Sequence, residues 1–175
     1  MKAKLYAWLT RLSQTIGATR PGAWLFARFL HDLDQFVLHQ SKGQHSLTGD
    51  LAGLPIVTVT TIGAKSGRQR TIPLVYVTDP ADSQSFALIA SNFGQTHHPS
   101  WYYNLKAHPQ AICTINGQTH HYQAREATPA EYKKFWQAAV TLYNGYTKYK
   151  ERVGNRHIPI FVLTPISHTD TAEHE

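Results

Sequence analysis

The dipeptide Asn116-Gly117 stands between two runs of alternating character, Ala111 to Ile115 and Gln118 to Arg125. Asn-Gly accepts the positive φ angles of a type I′ turn, whose twist matches that of two adjacent antiparallel strands. This stretch is therefore predicted as a β-hairpin, and any fold for the chain has to contain it. Four more runs keep a two-residue period or are continuously apolar between turn residues: Ile56 to Ile62, Thr71 to Thr78, Phe86 to Ser91 and Ile158 to Leu163. Each is predicted as a strand. Pro73 has no N–H to give to a ladder, so it is expected at its strand's start or on an edge.

Helical spacing fills the remainder. Leu5, Trp8, Leu9, Leu12 and Ile16 form one amphipathic stripe, and Trp24 to Val37 form a second helix behind Pro21. Thr128-Pro129-Ala130-Glu131 joins an N-cap hydroxyl, a proline at N1 and a glutamate at N3. A helix starts there and runs to the stop offered by Asn144-Gly145. Five or six strands with antiparallel turn signals, and helices outside the strand run, predict an α+β chain built as a small β-barrel with helical cover. The polar, glycine-bearing stretch from Gln40 to Pro55 is the one candidate boundary. It divides a helical extension (1–45) from the barrel domain (46–166), with a frayed polar tail (167–175).

Composition removes several classes. Apolar residues make up 42% of the 175 and charged residues 16%, the wrong balance for a disordered chain. The single cysteine, Cys113, cannot form an internal disulfide and lies in an alternating apolar run, so it reads as a reduced core residue. Arg11 and Arg28 interrupt the apolar N-terminal segments, leaving neither a secretory signal nor the ~20-residue apolar run a spanning helix needs. The expectation is a cytoplasmic protein. Its first helix, with Trp8 and Leu12 on one face and lysines flanking, suits peripheral contact with a membrane surface as well as cover for the barrel. The formal net charge of +6 favours an anionic partner without choosing among nucleic acid, a membrane surface and a phosphorylated cofactor.

Position narrows that choice. In Thr60 to Pro73, TTIGAKSGRQRTIP, Gly63 and Gly67 frame Lys65, Arg68 and Arg70. Glycines that let backbone N–H groups converge among cations suit a phosphate, and the same residues suit a solvated basic turn. The triphosphate pattern GxxxxGK[ST] is absent. In Ala90 to Asn104, ASNFGQTHHPSWYYN, a strand end, a glycine loop and a proline-started helix meet. Trp101 and Tyr102 offer aromatic faces there and Asn104 an amide, although Trp101 could equally cap the barrel core. Tyr143, Tyr146 and Tyr149 recur every three residues across Gly145, as a pocket wall with phenolic donors or as packing. His97-His98 and His120-His121 do not chelate locally, and neither HExxH nor CxxC occurs, so no metal is expected. Stacking residues cluster beside the glycines and do not alternate with cations along a sheet, so nucleic-acid binding is not expected either.

The segments TTIGAKSGRQRTIPL, ASNFGQTHHPSWYYNLKAHP and LYNGYTKYKERVGNRHIPIFVLTP together resemble the deazaflavin-dependent nitroreductase family over about Pro55 to Pro165. The resemblance implies a split β-barrel like that of FMN-binding proteins. It also implies a reduced deazaflavin coenzyme (F-420) as hydride donor, with FMN as the alternative, and a quinone, enone or nitroaromatic as acceptor. The coenzyme's phosphate and polyglutamate tail would then lie on Ala64, Lys65, Ser66, Gly67, Arg68 and the stretch Arg70, Thr71, Ile72, Pro73, Leu74 and Val75. Its ring would lie near Ile89, Ala90, Ser91 and Asn92 and near Ser100, Trp101, Tyr102, Tyr103 and Asn104. Tyr146, with Tyr143 and Tyr149 beside it, would face the acceptor. The family often carries a basic residue where Ala64 stands and a lysine where Asn92 stands. A homodimer is compatible with this reading.

Overall fold

The computed structural model describes residues 53–79, 82 and 84–166; the two predicted N-terminal helices, the proposed boundary near residue 46 and the tail lie outside the described residues. Six strands, β1 (Ile56–Ile62), β2 (Gln69–Thr78), β3 (Phe86–Ile89), β4 (Gln110–Ile115), β5 (Gln118–Glu126) and β6 (Ile160–Pro165), close into a barrel. Their order is β1-β2-β3-β6-β5-β4, and every neighbouring pair is antiparallel. Three helices surround it: α1 (Ser100–Ala107), α2 (Pro129–Leu142) and α3 (Gly145–Arg152). This is the α+β barrel with helical cover that the strand pattern predicts.

The β4–β5 hairpin forms as its turn demands. Ile115 faces Gln118, with Asn116 at φ 51° and Gly117 at φ 78°. Pro73 falls inside β2, whose Gln69–Val75 stretch pairs with β1 while only Tyr76–Thr78 pair with β3. One flank of β2 is thus unpaired at Pro73, the edge setting that a residue without an N–H tolerates. Several boundaries differ from the sequence pattern: β2 starts two residues early at Gln69, β4 and β5 each gain one residue, at Gln110 and Glu126, and β6 runs on to Pro165. β3 ends at Ile89, two residues early, because the chain turns into a 3-10 turn at Asn92–Gly94. β6 begins at Ile160, after Ile158 and Pro159.

Strand periodicity serves two cores. Val57, Val59, Phe86, Leu88, Cys113, Tyr122, Phe161 and Leu163 point into the barrel, where Trp101 and Leu105 of α1 join them. The alternate residues of β3 and β6, Ala87, Ile89, Ile160 and Val162, face outward and pack with Phe135 and Ala139 of α2 and Tyr146 and Tyr149 of α3. Both faces of these two strands are therefore covered, and their sequences, FALI and IFVL, are apolar without alternation for that reason. Full burial of a side chain such as Phe135 or Phe161 contributes about 1.5–3 kcal/mol. Burial also pushes the Cys113 thiol up to about 12, which keeps it protonated and unreactive.

The helix-start motif is realised in full. Thr128 Oγ1 accepts from the Glu131 N–H while a Glu131 carboxylate oxygen accepts from the Thr128 N–H at 2.8 Å. Arg125 adds a fork onto the same carboxylate at 2.7 and 2.8 Å. The Arg125 guanidinium, followed by the Thr128 amide, holds Glu131 down at about 2. α2 stops at Leu142, as Asn144-Gly145 predicts, and a further helix, α3, then begins at Gly145.

Candidate cofactor and acceptor site

The β1–β2 turn is tightly built. Gly63 N–H donates to Arg68 O and Gly67 N–H to Gly63 O, both at 2.8 Å, and Gly67 takes φ 63°. Arg68 N–H reaches Ser66 Oγ at 3.4 Å. Ala64 N–H donates at 3.0 Å to the side-chain oxygen of Asn104, whose amide nitrogen donates at 3.0 Å to Thr61 Oγ1. Four amides of this turn are thus committed inside the protein. These are the amides of Gly63, Ala64, Gly67 and Arg68, and the cationic side chains of Lys65, Arg68 and Arg70 beside them are all exposed. Beyond them, Arg70 and Thr71 stay exposed, whereas Ile72 and Leu74 pack against the barrel core and Pro73 and Val75 are half-buried.

Asn104 is buried, so its amide makes the joint between the basic turn and α1 rather than an exposed reader of a ligand edge. On the same helix Trp101 is buried and packs edge-on to Phe161 in the barrel core. Ser100 is exposed, Tyr102 half-buried and Tyr103 exposed. The Tyr102 ring lies 4.4 Å from that of His98, and His98 leads back to the Ala90–His98 loop.

That loop is held by a residue the motif reading passes over. Arg156 donates to Ser91 O at 2.8 Å, Gln95 O at 3.1 Å, Ala90 O at 3.3 Å and His98 Nδ1 at 2.8 Å. An arginine cannot accept, so His98 Nδ1 is the acceptor and the imidazole is neutral. Burial first, and the Arg156 charge second, hold His98 below its ordinary range. Ile89 and Ala90 turn their side chains into the two cores, and Ser91 is buried. Asn92, at φ 50°, donates its amide to His97 O at 3.0 Å across the loop. It is structural in a way that its position opposite a family lysine does not suggest. The only sequence signal for Arg156 is its place in the Gly-Asn-Arg turn before β6.

The loop leads to the tyrosines. Phe93 packs edge-on to Tyr149 with ring centres 6.1 Å apart, and Tyr143, Tyr146 and Tyr149 pack edge-on to one another at 5.8–6.0 Å. The row forms, but its members differ. Tyr146 and Tyr149 are buried and Tyr143 half-buried, with the hydroxyls of Tyr143 and Tyr149 at 3.3 Å. Gly145 allows this, because a Cβ there would collide with the Tyr143 ring. Burial raises all three phenols, so each keeps its proton and acts as a donor, not a base. The basic turn, α1, the Arg156-held loop and the tyrosine row are therefore joined contact by contact, from polycationic surface to protonated aromatic wall.

The family profile described as F420H(2)-dependent quinone reductase matches residues 34–165. An F420H(2)-dependent quinone reductase of Mycobacterium tuberculosis (strain H37Rv) is 33% identical over 113 residues, 63% of this chain and 73% of that protein. A solved F420-H2 dependent reductase is 37% identical, with a TM-score of 0.56, covering 62% of this chain and 93% of that one. A second solved relative, described as a domain-swapped dimer, is 33% identical with a TM-score of 0.59, covering 82% of this chain and 98% of that one.

Proposed function

The chain belongs to the F420H(2)-dependent quinone reductase family, and from that premise we propose that it takes hydride from a reduced deazaflavin coenzyme and gives it to a small conjugated acceptor. Quinones come first among such acceptors, with enones and nitroaromatics as chemical relatives. The observation that carries the reading is the match over residues 34–165, which includes the whole barrel and every segment of the site.

The residues suit the coenzyme. Lys65, Arg68 and Arg70 stand exposed on a turn four of whose amides are already bonded, so their charges face solvent from a fixed backbone, the arrangement a polyanionic tail needs. When bound, the reduced deazaflavin supplies the hydride; the protein's task is to bind, orient and exclude water. Asn104 fixes the basic turn against α1, and Arg156 fixes the loop that runs toward α3. The protonated hydroxyls of Tyr143 and Tyr149 supply hydrogen bonds to an acceptor oxygen, with Tyr146 packed beside them. A homodimer is the assembly we favour, in keeping with the domain-swapped relative; light scattering tests it.

Titration of apo-protein with deazaflavin and with FMN, side by side, tests the cofactor, followed by quinone-dependent oxidation of the reduced deazaflavin. Tighter deazaflavin binding and quinone turnover are expected. Lys65→Ala and Arg70→Ala should each weaken that binding by about 1–3 kcal/mol with the fold retained. FMN binding without deazaflavin binding would replace the reading with a flavin reductase.

A further inference from the structure

Phe93 combines two unfavourable features. It holds φ 54°, a left-handed conformation that costs a bulky L-residue energy, and its side chain is 40% exposed among the described residues. A glycine would relieve both. The turn carrying it is held from several directions. Arg156 ties down Ala90 O and Ser91 O before Phe93 and Gln95 O after it. The Asn92 amide bonds His97 O across the loop. Gly94 lies so close to α3 that an added Cβ would meet the Tyr149 Cα and the Arg152 Cβ at 3.1 Å. Strain that the surroundings over-determine, at a residue that presents an apolar ring outward, is the pattern expected of a contact surface. The ring stands between the loop read as the deazaflavin ring's neighbour and Tyr149, the end of the tyrosine row.

Resting on the reading of the preceding subsection, we propose that Phe93 is the acceptor-contacting, specificity-determining residue of this chain: its ring packs on a planar conjugated acceptor and favours large apolar quinones over small polar ones. Offset or edge-on packing of two rings gains free energy in proportion to the apolar face covered, so a fused naphthoquinone benefits more than a single-ring quinone.

The experiment compares full-length wild type, Phe93→Gly and Phe93→Trp for thermal midpoint, deazaflavin affinity, and kcat and KM with menadione and with unsubstituted benzoquinone. Because φ 54° suits glycine, Phe93→Gly should keep or raise the thermal midpoint. Its kcat/KM for menadione should fall about 3- to 10-fold, the scale of one aromatic contact. Benzoquinone kinetics should change less than about twofold on the same scale, deazaflavin affinity should hold, and Phe93→Trp should recover the menadione preference. An equal loss with both quinones, a loss of deazaflavin affinity, or a fall of several degrees in the midpoint would overturn the proposal, the last by showing that the ring is packed against other parts of the chain. Wild type that turns over while Phe93→Gly matches it with both quinones sinks this inference alone. Wild type that oxidises no reduced deazaflavin with either quinone takes the functional reading down with it.

Discussion

Arg156→Met removes a guanidinium that four acceptors of the 90–98 loop share, with His157 O a fifth at 3.5 Å, and leaves a side chain of similar length. The bonds to Ser91 O and His98 Nδ1, both 2.8 Å, are short and charge-assisted. Those to Gln95 O and Ala90 O, at 3.1 and 3.3 Å, are longer. Arg156 is half-buried, so water replaces part of what is lost. Taking about 1 kcal/mol for each short bond and about half that for each long one gives a loss of about 2–3 kcal/mol. Arg156→Lys keeps the charge but not the planar fork, and one ammonium cannot reach acceptors on both sides of the loop; it should recover about 1 kcal/mol. Urea unfolding of the three proteins measures the stability term. Hydrogen exchange along residues 90–98 measures where the loss falls, and deazaflavin titration measures whether the loop's order matters to binding. Faster exchange confined to the loop, together with affinity reduced several-fold, is expected. A change in stability below about 0.5 kcal/mol for Arg156→Met, or full recovery by lysine, would refute the argument that the fork organises the loop.

Three further outcomes are expected. Asn104→Ala should cost about 2–4 kcal/mol in denaturant unfolding, because it strands the Ala64 N–H and leaves a buried gap beside Thr61; a loss under about 1 kcal/mol would deny the amide its bridging role. Asn92→Lys restores the family's usual charge but places lysine at φ 50° and removes the bond to His97 O, so the gain of about 1 kcal/mol expected from an added cation near an anionic ligand should be cancelled. Clearly tighter deazaflavin binding in that variant would show the charge outweighing the turn. Glu131 falls from 4.5 to about 2 on folding, so its contribution is whole above pH 4.5 and is lost as pH drops toward 2. Glu131→Gln should flatten that part of the stability–pH curve; an unchanged acid limb would place the loss on other carboxylates.

Much of the barrel is legible in the one-dimensional chain because its signals are local. The Asn116-Gly117 turn, the Thr128 capping box and the Asn144-Gly145 stop each act within a few residues, and the structure realises all three. A local signal also carries the basic turn, since Gly67 needs its positive φ wherever the turn ends up. Other assignments needed the third dimension. The residue spacing of Trp101 allows a ligand face or a core cap equally, and only closure of the barrel shows its ring packed against Phe161. Asn104 acquires its role from Ala64, forty positions away. Arg156 acquires its role from Ser91, sixty-five positions away. No periodicity encodes such pairings, because periodicity records which face of an element is apolar and not which polar groups closure brings together. What the chain determined by itself was therefore the set of strands, turns and helix starts, whose energetics are local. Tertiary structure decided which polar side chains became joints and which aromatic rings were left facing outward, because those outcomes depend on distances that exist only once β1 meets β4 and the barrel is shut.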